Sequence, residues 1–221
     1  MKLGIIHTTP ATIESLKALA EEMIPGVQVF NILDDSILPQ LAQNGGDISE
    51  IESRFITYGH AAFQAGADVI LSACSSVGEL VAPLRREIPI PVVRIDEAMI
   101  DEAVRTAEKI GVAATLATTL GPTCRFLETK AAQAGKMICI EPLLAAEAYR
   151  LLMAGDKEGH DEVLVRALGE LLQKVDLVVL AQASMARVLP KLPEDARSKF
   201  LTSPRLGMGQ VARELLKRQD G

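Results

Sequence analysis

Apolar runs of strand length alternate along the chain with longer segments that have helical spacing. The runs LGIIHT and DVILSA, for example, are each followed by a segment whose apolar residues recur at the period of an amphipathic helix. Strands that alternate with helices in this way are typical of βαβ units, in which neighbouring strands are parallel. The pattern therefore predicts an α/β fold with mostly parallel sheets.

The second part of the chain repeats the pattern of the first. Residues 68–76 (DVILSACSS) align without gaps with residues 176–184 (DLVVLAQAS), at an offset of 108 positions. The run Leu3-Gly4-Ile5 resembles Ile110-Gly111-Val112 at an offset of 107. A near-constant offset across several elements indicates an internal duplication, although any two strands rich in Val, Ile, Leu and Ala would also give such matches.

A duplication of this kind predicts two pseudo-symmetric halves, each a doubly wound, flavodoxin-like parallel sheet, with a cleft between them. We assign residues 1–95 together with 205–221 to the first half, on which we expect the last helix to pack, and residues 96–204 to the second. Ligands of open parallel sheets bind beyond the carboxyl ends of the strands. We therefore expect Cys74 and Gln182 to lie on opposite walls of the cleft.

The composition disfavours several classes of protein. The 221 residues are 48% hydrophobic, carry a formal net charge of −6, and include no Trp, two Tyr and five Phe. A nucleic-acid binder would need a basic surface or stacking aromatic residues. The chain has no apolar run near the roughly 20 residues of a membrane-spanning helix, and its start does not have the pattern of a signal peptide. We predict a cytoplasmic protein without nucleic-acid or membrane partners.

The cysteines give no sign of a disulfide framework or a metal centre. Cys74, Cys124 and Cys139 are odd in number and widely spaced, without a C-x-x-C pair. This usage suits a reducing compartment. We predict no metal site, and we expect Cys124 on a helix and Cys139 in a strand interior to serve packing.

Cys74 has the sequence context of a reactive thiol. The buried strand ends at this residue, and Ser75 and Ser76 then lead into a helix. A helix start directs backbone N–H groups and the positive end of its dipole outward, which favours a thiolate and can hold a carboxylate beside it. The alternative is that Cys74 is a small buried hydrophobic residue.

Four segments together resemble the aspartate/glutamate/hydantoin racemase superfamily. They are ILSACSSVGE around Cys74, IGVAATLATTLGPT in the middle of the chain, VVLAQAS, and LTSPRLGMG. The resemblance implies an enzyme without a cofactor, in which two cysteines flank the carbon next to a carboxylate. One cysteine removes a proton from that carbon and the other donates one to its opposite face. Relatives include maleate isomerase and arylmalonate decarboxylase, so the resemblance implies a type of site more than one reaction.

The resemblance implies roles for individual residues. It makes Cys74 the acid or base and Thr118 and Thr119 the turn that holds the carboxylate. Ser75 and Ser76 match the hydroxyl residues that follow the cysteine, and we predict that they bind substrate. By their position in the same strand-to-helix turns, we also predict substrate-binding roles for Thr8, Thr9, Ala183 and Ser184.

Gln182 stands where the second cysteine is expected. An amide cannot relay a proton, although it can orient a substrate through hydrogen bonds. His7, at the end of the first strand, is the candidate for proton transfer on the second face, and it is also simply the residue at which a strand meets a turn.

Several other residues are predicted to be structural. We expect His160 in a charged loop, Asp96 as a helix cap or in a solvated turn, and Gly207 and Gly209 in a turn at the start of the last helix.

We predict a racemase or epimerase that acts at the carbon next to the carboxylate of a small acid. A single-cysteine decarboxylase or cis–trans isomerase is the enzymatic alternative. A binding protein for small carboxylates, without catalysis, is the alternative of another class. The resemblance also suggests a homodimer.

Overall fold

The computed structural model describes residues 1–218, and residues 219–221, which the sequence analysis assigns to the first half, lie outside this description. The chain divides into two compact units. The first contains residues 1–97 and the segment that begins at Pro204, and the second contains residues 98–203. Within residues 1–218, no helix has both the length and the apolar character that crossing a membrane requires.

Each unit is built on a parallel four-stranded sheet. The strands of the first sheet are β1 (Lys2–His7), β2 (Gln28–Leu33), β3 (Val69–Ser72) and β4 (Val92–Arg94). Those of the second are β5 (Lys109–Ala114), β6 (Cys139–Leu144), β7 (Leu177–Leu180) and β8 (Phe200–Thr202). The spatial orders are β2-β1-β3-β4 and β6-β5-β7-β8, and all of the pairings are parallel. The predicted α/β fold of two parallel-sheet halves is confirmed.

Helices connect the strands in both units. They are α1 (Ile13–Met23), α2 (Ile37–Gln43), α3 (Ser49–Gln64), α4 (Val81–Glu87), α5 (Glu97–Thr106), α6 (Ala117–Gln133), α7 (Ala146–Met153), α8 (Lys157–Leu172) and α9 (Ser203–Lys217). In the first unit, side chains of α2, α3 and α4 form one apolar cluster with Ile6, Ile70 and Val92 of the sheet. Every residue of β3 and β7 is buried, which explains why these central strands are apolar except for Ser72 at the end of β3.

The two sheets repeat each other in detail. Asp68 precedes β3, and its Oδ2 accepts a hydrogen bond from the backbone N–H of Lys2 at 2.8 Å. Asp176 precedes β7 and accepts the corresponding bond from Lys109 at 2.9 Å. In each half, an aspartate at the equivalent position thus ties the start of the third strand to the first strand. This shared contact supports an internal duplication more strongly than the similar apolar composition of the strands does.

The last helix packs on the first unit. Gly207 and Gly209 lie inside α9, so the prediction that they form a turn at a helix start is wrong. A Cβ on Gly207 would lie 2.5 Å from the carbonyl oxygen of Ile95, whereas a Cβ on Gly209 would meet its nearest neighbour, Met23 Cε, at 3.7 Å. Gly207 is therefore required for the close approach of α9 to the segment after β4.

Substitution of these two glycines by alanine should have opposite effects. Gly207→Ala should lower the free energy of unfolding by about 1–3 kcal/mol, because the methyl group meets a backbone atom that cannot move independently. Gly209→Ala should be neutral or raise it by up to about 1 kcal/mol, since alanine favours the helix and the space is open. Urea denaturation of both variants measures this difference, and equal effects would contradict the packing described for Gly207.

Candidate active site

Cys74 begins a tight turn at the carboxyl edge of the first sheet. The last hydrogen bond between β3 and β1 joins Ala73 N–H to the Ile6 carbonyl at 2.9 Å. Cys74 itself is extended (φ −134°, ψ 119°), and the 3₁₀-helix Ser75–Leu80 follows directly. We call Cys74 and this 3₁₀-helix the Cys74 turn. Cys74 is half-buried and packs against the apolar cluster of the first unit, while Ser75 and Ser76 are buried.

A buried ion pair lies against the Cys74 turn. Arg94 Nε contacts Asp96 Oδ1 at 2.5 Å, and Arg94 Nη2 contacts Asp96 Oδ2 at 2.9 Å. Their side chains are only 5% and 0% exposed. The predicted solvated surroundings of Asp96 are therefore wrong, because its carboxylate is buried against Arg94, and its role as a helix cap stays a prediction. The Arg94 guanidinium occupies the space that a Cβ on Gly78 would need.

His7 is buried, and both of its ring nitrogens have partners. Nε2 donates to Asn31 Oδ1 at 2.9 Å, so Nδ1 of the neutral ring accepts from the Thr12 hydroxyl at 3.0 Å. Burial lowers the pKa of His7, and the hydrogen bond to Asn31 opposes this only in part. The role of His7 in proton transfer stays a prediction, and these contacts suit a neutral ring that holds the strand end in place.

The two threonines after His7 differ in their surroundings. The Thr8 hydroxyl is buried without a hydrogen-bond partner in the described structure. Thr9 Oγ1 accepts from Ala11 N–H at 3.3 Å and caps the short 3₁₀-helix Pro10–Thr12. A buried hydroxyl without a partner loses solvation free energy, so Thr8 is the better placed of the two to bind a ligand.

Gln182 occupies in the second unit the position that Cys74 occupies in the first. Ala181 N–H donates to the Ala113 carbonyl at 2.9 Å. Gln182 is extended (φ −119°, ψ 133°), and the 3₁₀-helix Ala183–Lys191 follows. We call Gln182 and this 3₁₀-helix the Gln182 turn.

The Gln182 side chain is oriented by Thr115. The Thr115 backbone N–H and hydroxyl donate to Gln182 Oε1 at 2.6 and 2.9 Å. The amide oxygen thus already accepts two hydrogen bonds, which leaves the NH₂ group, a donor, as the part of the side chain that can bind a ligand. Thr115 is not among the residues predicted from the sequence, although its place directly after β5 is a usable signal.

Thr118 and Thr119 lie in the first turn of α6. Leu116 is the N-cap and provides no side-chain hydrogen bond to the helix start. Thr119 is buried and Thr118 is half-buried. This turn therefore combines a helix dipole with two hydroxyl groups, which favours a nearby anion.

A buried carboxylate anchors the Gln182 turn to α8. Asp161 Oδ2 accepts from Lys191 Nζ at 2.6 Å and Arg187 Nη2 at 3.0 Å, and both cations belong to the turn. Burial alone would raise the pKa of Asp161, but the Lys191 hydrogen bond and the two positive charges outweigh it, so the pKa lies below its ordinary value.

His160, beside Asp161, corrects another prediction. It lies inside α8, is buried, and its Nδ1 donates to the Ala148 carbonyl at 2.8 Å. The prediction that His160 lies in a charged loop is therefore wrong, because α8 begins at Lys157, three residues before His160.

The structure brings the predicted site residues together at two strand edges. His7, Thr8, Thr9, Cys74, Ser75 and Ser76 lie at the carboxyl edge of the first sheet, and Thr118, Thr119, Gln182, Ala183 and Ser184 at that of the second. Their roles in binding and catalysis stay predictions, as does the cleft.

The other two cysteines lie away from these strand edges in the sequence. Cys124 is half-buried on α6, whereas Cys139 is exposed at the start of an edge strand, so its predicted place in a strand interior is wrong. Within residues 1–218, no three His, Cys, Asp or Glu residues form a group suited to a metal.

Comparison with known proteins identifies the family of the chain. The model of the Asp/Glu/Hydantoin racemase family matches residues 3–211. The chain belongs to this family. The resemblance recognised from the sequence motifs is thereby confirmed, and family membership supports an isomerase-type enzyme or a related decarboxylase.

Solved structures share the fold of this family member at low sequence identity. Glutamate racemase RacE1 from Bacillus anthracis is 15% identical, with a TM-score of 0.75 over 98% of this chain and 82% of that one. Allantoin racemase from Klebsiella pneumoniae is 18% identical, with a TM-score of 0.65 over 99% of this chain and 89% of that one. A mutant of arylmalonate decarboxylase in a sulfate-associated form is 13% identical, with a TM-score of 0.58 over 96% of this chain and 92% of that one. No match was found among curated proteins.

The protonation of His7 should reflect its burial. We expect the ring to remain neutral at pH 6.5 and to gain a proton only at lower pH, because burial disfavours the charged form. Unfolded histidine takes up its proton near pH 6.5, so this residue should make the free energy of unfolding fall as the pH drops below about 6.5. Nitrogen-15 NMR of the ring measures the titration, and His7→Asn should lack this part of the pH dependence. A His7 ring that is protonated at pH 7 would contradict the contacts described.

Asp161→Asn should destabilise the protein near neutral pH by about 1–3 kcal/mol, because Lys191 and Arg187 lose their counter-ion. The depressed pKa of Asp161 contributes stability above its unfolded value of about 3.9, and this contribution is lost as the pH falls through the lower folded value. The difference between wild type and variant in urea denaturation should therefore shrink in acid. Glu102→Gln, which breaks the exposed pair with Arg105, is the control and should change stability by less than about 1 kcal/mol.

Proposed function

We propose that the protein is a single-thiol enzyme that acts at the carbon next to the carboxylate of a small acid. In this proposal Cys74 exchanges a proton with that carbon, and Gln182 binds the same substrate without transferring a proton. The observation that carries the proposal is the double hydrogen bond from Thr115 to Gln182 Oε1. It makes the group at position 182 an oriented donor, in place of the second acid–base residue that two-thiol racemisation needs.

The chemistry requires stabilisation of negative charge. Loss of a proton or of carbon dioxide next to a carboxylate produces an enediolate-like anion, which hydrogen-bond donors must neutralise. The candidate donors are the buried Thr8 hydroxyl, the first turn of α6 and the Gln182 NH₂ group. Removal of one such donor lowers a rate by about 10²–10³ in other enzymes.

Decarboxylation is the reaction that one thiol completes most simply. The bond between the central carbon and the leaving carboxylate breaks, carbon dioxide departs, and the electron pair remains in the enediolate. The Cys74 thiol then gives its proton to the carbon, and the resulting thiolate regains a proton from water. We therefore propose an acid with two carboxylates on one carbon, of the malonate type, as the first substrate class.

Racemisation or epimerisation is the second candidate, and family membership favours it. It requires a proton on the opposite face of the carbon. His7 is the predicted source, and because Thr12 and Asn31 engage its nitrogens, it would have to exchange one of these hydrogen bonds to transfer a proton to the substrate. Cis–trans isomerisation through addition of the Cys74 thiolate to a double bond also needs only one thiol.

Incubation with amino, hydroxy, malonic and unsaturated acids in D₂O distinguishes these reactions. NMR should detect loss of carbon dioxide with one deuterium placed on one face of the carbon. Deuterium uptake with inversion would favour the racemase, and a change of double-bond geometry the isomerase. Thermal shifts with acids but no reaction of any of them would contradict catalysis and leave a binding protein.

Variants at positions 74 and 182 test the roles of the two residues. Cys74→Ser should abolish turnover with the fold retained, whereas the matched control Cys124→Ser should keep it. Gln182→Ala should lower kcat by about 10²-fold through loss of a donor. Gln182→Cys should add racemisation, because it supplies a second thiol. Full activity in Cys74→Ser would remove this thiol from the mechanism.

A further inference from the structure

The end of β4 lies directly beside the strand that leads into the Cys74 turn. Arg94 pairs with Ser72 in the parallel ladder, and Ile95 N–H donates to the Ser72 carbonyl at 3.1 Å. Two residues after Ser72 the chain reaches Cys74. The position of β4 is therefore coupled to the start of the turn through the backbone.

The Arg94 side chain makes a second connection, to the middle of the turn. The guanidinium lies against Gly78, where a Cβ would overlap its Cζ and Nε atoms. Gly78 is buried within the 3₁₀-helix Ser75–Leu80. The close approach of a flat cation explains why this position of the turn has no side chain.

Asp96 fixes the orientation of the guanidinium. Both carboxylate oxygens contact Arg94, and the two side chains are almost completely buried. Paired contacts of this kind define the plane of the guanidinium as well as its position. A buried ion pair adds little net stability compared with apolar residues of similar volume, so stability alone explains the pair poorly.

Ile95, which lies between Arg94 and Asp96, contacts a different element, the last helix. Ile95 lies in the turn that follows β4, and its backbone is in close contact with Gly207 of α9. The segment Arg94-Ile95-Asp96 is therefore fixed by α9 and by the Cys74 turn.

We propose that Arg94 and Asp96 are positioning residues for Cys74: their ion pair sets the location of the Cys74 turn through Gly78 and thereby places the thiol. The proposal rests on the proposed function for its catalytic consequence. The placement of the thiol itself can be measured without any substrate.

The first test is the rate at which iodoacetamide alkylates Cys74. A Cys124→Ser/Cys139→Ser background leaves Cys74 as the single thiol of the chain. In this background, Arg94→Met replaces the cation by an apolar side chain and should change the alkylation rate about tenfold or more, whereas Arg94→Lys should restore part of the original rate. Glu102→Gln, at an exposed ion pair, should leave the rate unchanged. An unchanged rate in Arg94→Met would overturn the proposal.

A double-mutant cycle between Gly78→Ala and Arg94→Lys covers the case in which Arg94→Met does not fold. The methyl group of Gly78→Ala should perturb the alkylation rate strongly when Arg94 is present and less when lysine provides a smaller head group, so the two effects should not be additive. Additive effects would overturn the proposed contact.

The second readout is kinetic and uses whichever substrate the acid panel identifies. Arg94→Met and Asp96→Asn should lower kcat by about 10–100-fold, the effect of a misplaced catalytic group, with KM nearly unchanged. A rise in KM alone would contradict positioning. If no acid reacts, the proposed function fails, while a changed alkylation rate would still support the placement of the thiol by Arg94.

Discussion

The pairing of the third strand of each sheet with the first determines where this protein can perform chemistry. The last bonds of the two ladders, from Ala73 to Ile6 and from Ala181 to Ala113, are both 2.9 Å long. In each unit the next residue leaves the sheet in an extended conformation and begins a 3₁₀-helix. Because both units use the same register, Cys74 and Gln182 occupy equivalent positions, and a shift of one residue would direct either side chain to the other face.

The two similar sheets carry two different supporting structures. The Cys74 turn packs against a buried arginine from the neighbouring strand. The Gln182 turn is tied to α8 by Asp161 and to the end of β5 by Thr115, the residue that follows this strand. The thiol is held among apolar side chains and the amide is held by hydrogen bonds. The two halves therefore differ in the side chains that support their turns, while the strands that lead into these turns share the same order and register.

The sequence was sufficient to predict the α/β class and the two parallel-sheet halves, because periodicity and the repeat are local signals. It failed where a residue's role depends on a partner from another element. Thr115 and Gln182 are 67 positions apart. Arg94 is only two positions from Asp96, but the burial of this pair depends on the elements that cover it. Cys139 looked like an interior residue because its strand is apolar, but the strand lies at the edge of its sheet. Strand order, which decides such exposure, is not encoded in the pattern of a single strand.

The return of α9 to the first unit makes the second unit an insertion within it. The first part of the first unit ends at residue 97, and its second part begins at Pro204. At synthesis rates of about 5–20 residues per second, a ribosome needs roughly 5–20 s to make the roughly hundred residues between these points. During that interval the whole second unit becomes available for folding, while the face that α9 covers near Ile95 is still without its helix. The half that is encoded first is thus completed last.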